Sequence, residues 1–89
     1  MGAEQSEERL VQEIISLLVD KQEDIHISST ITDHTAVFDI RVADSDVGKV
    51  LGRKGAHADA LRTIFGAIYG KTGKKLHLQI VDPRKGRDR

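Results

Sequence analysis

The four residues Gly52-Arg53-Lys54-Gly55 combine the two ingredients of an anion site, bare backbone and positive side chains. Glycine reaches backbone angles closed to other residues and lets a ligand approach the main chain with no Cβ in the way. The flanking segments are apolar at helical spacing, so Gly55 stands where a second helix begins. Unpaired amides and the positive end of the helix dipole favour an anion there. Arg53 and Lys54 place two cations beside those amides. The chemistry predicted is a non-covalent grip on a phosphate chain.

Two common phosphate motifs are excluded. A mononucleotide P-loop needs G-x-x-x-x-G-K-[ST], whereas Gly55 is followed by Ala56 and His57. A dinucleotide fold needs G-x-G-x-x-G directly after a strand. Here Gly48, Gly52 and Gly55 read G-x-x-x-G-x-x-G, with a helical stretch before the bend. The plain alternative for Gly52 and Gly55 is a corner between two helices. Gly48, inside the short helix, is expected to permit close packing. Lys49 and Arg62 are placed to line the approach to the bend, and His57 is the nearest histidine. Ordinary solvated positions are the competing reading for all three.

Nothing else in the chain suggests a reaction. There is no cysteine, hence no disulfide, thiolate ligand or thiol nucleophile. His26, His34 and His77 lack metal-ligand spacing. Asp33-His34 resembles half a catalytic pair, but turn chemistry explains the aspartate and no nucleophile accompanies it. No enzyme, cofactor or metal is expected.

The elements that must hold the bend follow from periodicity. Residues 6–21 read as a helix, with Ser6 as N-cap and Glu7 and Glu8 in the first turn. Leu10, Ile14, Leu17 and Leu18 form its apolar stripe, and Val11, Ile15 and Val19 widen it. That surplus suits either deep burial or a surface for pairing. Alternation at Ile25, Ile27, Ser29 and Ile31, a turn at Asp33-His34, and alternation at Phe38, Ile40 and Val42 predict an antiparallel hairpin. Asp44-Ser45-Asp46 offers N-caps for a short helix to Leu51. A longer helix over 56–70 carries Ala58, Leu61, Phe65 and Ile68, and Leu76, Leu78 and Ile80 alternate in a last strand closed by Pro83. The order α-β-β-α-α-β, with a helical crossover between parallel strands, predicts an α+β fold. Its three-stranded mixed sheet should carry helices on one face.

Length and composition agree with one soluble domain, since 89 residues leave no room for a second core. The net charge of zero hides an asymmetry. Through Val47 there are eleven acids against three bases; beyond it there are eleven bases against three acids. A half at +8 points to a polyanion partner, unless the fold interleaves the halves and cancels the field. The run Ile14–Val19 is too short to span a bilayer, and the acidic, polar start argues against a secretory signal. A cytoplasmic protein without membrane insertion is expected.

At V-L-G-R-K-G-A-H-A the chain resembles the KH family, whose G-x-x-G bend between two helices clamps nucleic acid backbone. The element order is similar to the bacterial type II arrangement. Length, the GRKG bend and the following ADALRTI resemble the small bacterial single-KH proteins of the KhpA/YlqC family, over about residues 6–82. One departure is Ala58, where KH domains often carry isoleucine. The resemblance implies a single KH domain over 6–82; residues 1–5 are expected to form a flexible N-terminus and 83–89, with no apolar residue from Arg84 on, a basic flexible tail. It implies binding of about four single-stranded RNA nucleotides, with the backbone across Gly52, Arg53, Lys54 and Gly55. The bases would lie in a groove walled by Val47, Val50, Leu51, His57, Ala58 and the last strand. It also implies a bacterial cytoplasmic RNA regulator or chaperone linked to cell-envelope growth and cell shape. Such a protein would work as a homodimer or as a heterodimer with a larger KH protein of the KhpB (Jag/EloR) type. The rival reading is a KH fold used for dimerisation or partner docking, with RNA incidental.

Aromatic content supports this choice among RNA binders. The only rings are Phe38, Phe65 and Tyr69, and the two phenylalanines fall in core registers. Surfaces that stack bases on exposed rings are therefore excluded.

Overall fold

In the computed structural model of this chain the described residues are 3–82, with side chains considered from residue 7. Helix α1 (Ala3–Leu18) is followed by strands β1 (His26–Ile31) and β2 (Thr35–Arg41), helices α2 (Val47–Leu51) and α3 (Ala56–Gly70), and strand β3 (Lys75–Ile80). Single 3₁₀ turns at Gln22–Asp24, Asp44–Asp46 and Arg53–Gly55 join them. This is the expected α-β-β-α-α-β order. The basic tail at 83–89 lies outside the described residues.

The sheet order is β1-β2-β3, with β1 antiparallel and β3 parallel to β2. The α2–α3 crossover supplies the long connection that a parallel pair requires. Alternation sends Ala36, Phe38 and Ile40 of β2, with Leu78 and Ile80 of β3, into the core under the helices. Phe38 is its centre, with ring centroids 6.5 Å from Phe65 and 6.0 Å from Tyr69. The Tyr69 hydroxyl donates to Glu7 at 3.0 Å, tying the end of α3 to the start of α1.

The parallel ladder leaves one edge open. The Lys75 amide donates to the His34 carbonyl and the Val81 amide to the Ile40 carbonyl, both at 2.9 Å. Odd-numbered residues of β3 therefore face β2, and the backbone groups of Leu76, Leu78 and Ile80 face outward.

Helix α1 differs from expectation in three ways. It begins at Ala3, so Ser6 lies inside it and is not its N-cap, and Glu7 and Glu8 fall in the second turn. It ends at Leu18, not residue 21: the Val19 amide still donates to the Ile15 carbonyl, but those of Asp20 and Lys21 are captured from outside, donating to the Asp46 carboxylate at 3.2 and 3.0 Å. Its stripes are also exchanged. Val11, Ile15 and Val19 are the buried line, whereas Leu10 is 44% and Leu17 85% exposed. Two stripes one residue apart share a helix face in sequence; packing against the sheet chooses the β-branched one.

Candidate nucleic-acid interface

Helix α2 places the bend and Asp46 places α2. Expected as a helix N-cap, Asp46 makes no capping bond to its own helix. It is fully buried and reaches back to the two amides that terminate α1. The Lys21 amide in the first place, then those of Asp20 and the Lys49 ammonium, hold its carboxyl below the usual value of 3.8 against the opposing effect of burial. Lys49 completes this knot, 3.4 Å from Asp46 and 3.0 Å from Asp20, and its pKa rises accordingly, Asp20 being the main cause.

The bend is a left-handed excursion. Gly52 has φ 77° and ψ 171°, Lys54 φ 55° and ψ 26°, and Gly55 φ 78° and ψ 18°. Lys54 is the one non-glycine residue with positive φ among the described residues. Such a conformation disfavours a side chain by about 1–2 kcal/mol, and strained backbone of this kind collects at functional sites. A lysine enclosed by two glycines is the single sequence signal for it.

The amides are less open than the sequence suggested. Those of Gly52, Gly55 and Ala56 donate inward, to the carbonyls of Gly48 (2.9 Å), Gly52 (3.1 Å) and Arg53. The cations are more open. Arg53 and Lys54 are both exposed, and among the described residues neither has an ion-pair partner.

The remaining candidates separate. His57 folds onto the bend, its Nδ1 2.8 Å from the Lys49 carbonyl. Arg62 crosses from α3 to the open edge of β3, where Nε donates to the Leu78 carbonyl at 3.0 Å and a terminal nitrogen meets Asp59 at 3.0 Å. The i, i+3 spacing of Asp59 and Arg62 was the available signal for that pair. Val50 and Val47 are fully buried and Ala58 is 1% exposed, so these side chains support the bend from within and wall no open groove. Leu51 is half-buried. Gly48 also departs from expectation: a methyl group there would meet nothing within 4 Å, so close packing does not require glycine. Among the described residues no group of His, Asp and Glu is arranged to hold a metal.

The sequence profile of the family described as KhpA/KhpB, KH domain, matches residues 8–80. This chain belongs to that KH family. Among curated KhpA proteins, "RNA-binding protein KhpA" of Borreliella burgdorferi is 36% identical over 77 residues, covering 86% of this chain and 94% of its own. The KhpA of Clostridium perfringens is 36% identical over 72 residues (81% and 96%), and that of Chlamydia caviae 32% over 71 residues (80% and 91%). No solved structure matches the chain significantly. In the KH frame the bend joins the two core helices, and Ala58, the departure from the usual isoleucine, is accommodated in the core.

Proposed function

We propose that this chain binds single-stranded RNA, holding the phosphate backbone across Gly52, Arg53, Lys54 and Gly55. One observation carries the reading: of the four cations near the bend, Lys49 and Arg62 are neutralised by aspartates, while Arg53 and Lys54 stand exposed without a partner among the described residues. The KhpA relatives, named as RNA-binding proteins, support it. All three aromatic rings are buried, so bases are held by the backbone, Leu51, His57 and Arg62 and not by stacking. A cytoplasmic post-transcriptional regulator or RNA chaperone serving cell-envelope growth is the role we attach to this activity. Among the described residues no helix is long and apolar enough to cross a membrane.

The deciding variant carries Arg53→Asp and Lys54→Asp. Aspartate tolerates the positive φ at position 54 better than most residues, so the fold is preserved. Binding to a single-stranded RNA oligomer should be lost with an unchanged circular dichroism spectrum. Wild-type binding should weaken with salt at a log–log slope of about −1.5 to −3, roughly −0.7 per phosphate for two to four contacts. Unaltered affinity in the double variant would overturn the reading.

A second reading is favoured by a surface that adjoins the bend. Ile14 and Leu18 of α1 and His57, Ala60, Leu61 and Ile64 of α3 line an apolar groove; Ile64 is 56% exposed, and Leu10 and Leu17 of α1 are exposed as well. We assign this face to pairing with a second KH domain, of the same chain or of a larger KhpB-type protein. Weak binding at each bend would then be multiplied through a second site.

A further inference from the structure

Arg62 is the residue whose fixed geometry exceeds its structural duty. Its Nε–H donates to the Leu78 carbonyl on the open edge of β3, and one N–H of a terminal nitrogen meets Asp59. Those two anchors set the plane of the guanidinium from both ends. A guanidinium has five N–H donors, so three remain without a partner among the described residues, on a side chain that is 47% exposed. The backbone of Arg62 lies about 9 Å along α3 from the first residue of that helix, at 1.5 Å per residue.

We propose that Arg62 reads a base, selecting one that presents two adjacent hydrogen-bond acceptors. This rests on the RNA-binding reading above and adds a preference to it. The unused donors form a planar fork, which pairs with two neighbouring acceptors and not with a donor beside an acceptor. Guanine offers O6 and N7 on its Hoogsteen edge, and cytosine offers O2 and N3 on its Watson–Crick edge. Adenine sets its amino group beside N7 and beside N1, and uracil sets N3–H between its carbonyls, so neither matches the fork. Single-stranded bases expose both edges to such contacts. Asp59 is what makes the arginine discriminate, because it holds the fork in one plane where an unpaired side chain would rotate to suit any base.

The test uses fluorescence anisotropy with short labelled RNA oligomers: all-uridine, all-adenosine, and uridine oligomers with one central guanosine or one central cytidine. Wild type should bind at least one of the substituted oligomers about tenfold more tightly than either homopolymer, and whichever is stronger identifies the edge read. Arg62→Met keeps the packed stem and loses the donors; Arg62→Lys keeps the charge and loses the fork. Both should abolish the preference, bringing the guanosine and cytidine oligomers down to the affinity that the same variant shows for all-uridine. Equal binding of all four oligomers by wild type, lost in the Arg53→Asp, Lys54→Asp variant, leaves RNA binding standing and overturns the preference. A preference surviving in Arg62→Met overturns it as well. If wild type binds none of the oligomers, the RNA reading fails and the preference falls with it.

Discussion

The imidazole of His57 lies so close over Gly52 that a methyl group on that glycine would fall 2.6 Å from the ring. The contact is a latch: the same ring holds the Lys49 carbonyl at 2.8 Å, joining the end of α2 to the start of α3. A carbonyl only accepts, so Nδ1 carries the proton and Nε2 is the acceptor of the neutral ring. Gly52→Ala meets this ring and also the His57 amide nitrogen at 2.8 Å, in a backbone region that only glycine favours. Urea unfolding should show a loss of about 2 kcal/mol or more, of which adding His57→Ala recovers only a part. A Gly52→Ala protein as stable as wild type would contradict the geometry.

Gly48 behaves oppositely. It sits in α2 with open space around its Cα, so alanine gains helix propensity without a clash. Gly48→Ala should raise stability by about 0.5–1 kcal/mol, read as a higher urea midpoint at constant slope. A lower midpoint would show that the position is packed after all.

Acid should loosen the knot at Asp46. Its folded pKa lies below the ordinary 3.8, so protons bind the unfolded chain more readily and the carboxylate stabilises the fold above that pH. The contribution is complete at neutral pH and disappears as pH falls through the lowered folded value. Asp46→Asn should melt at a lower temperature than wild type at pH 7, and the two melting curves should converge below about pH 3.8. A constant gap across that range would assign the effect to packing.

The outward stripe predicts association. Ile64 is 56% exposed, so replacing it with arginine removes apolar surface from the α1–α3 face without opening the core. Ile64→Arg should sediment as a monomer where wild type sediments as a dimer, with stability held within about 0.5 kcal/mol. Equal sedimentation of the two proteins would remove this face from the pairing surface.

Element order, the mixed sheet and the position of the bend were legible because each depends on local signals. Alternation at Ile25 to Ile31 and Phe38 to Val42, the break at Gly52 and Gly55, and spacing in α3 are all read within a few residues. What escaped depended on distant partners. The end of α1 is set by Asp46, more than twenty residues further on, and the neutralisation of Lys49 by Asp20, 29 residues earlier. The exchange of stripes in α1 was hidden for a different reason. Leu10–Ile14–Leu18 and Val11–Ile15–Val19 have the same period and differ by one residue in phase, which hydrophobicity alone cannot rank.

Three of the four bend residues, Gly52, Lys54 and Gly55, hold positive φ, and the amides of Gly52 and Gly55 are bonded to the carbonyls of Gly48 and Gly52. A loop confined in this way has few other shapes to adopt, so the entropy of ordering it is spent during folding and not at association. Affinity and stability then share one reservoir. A substitution that lets the bend sample other shapes will weaken binding in proportion to the time spent outside this one, even where every contacting side chain is intact.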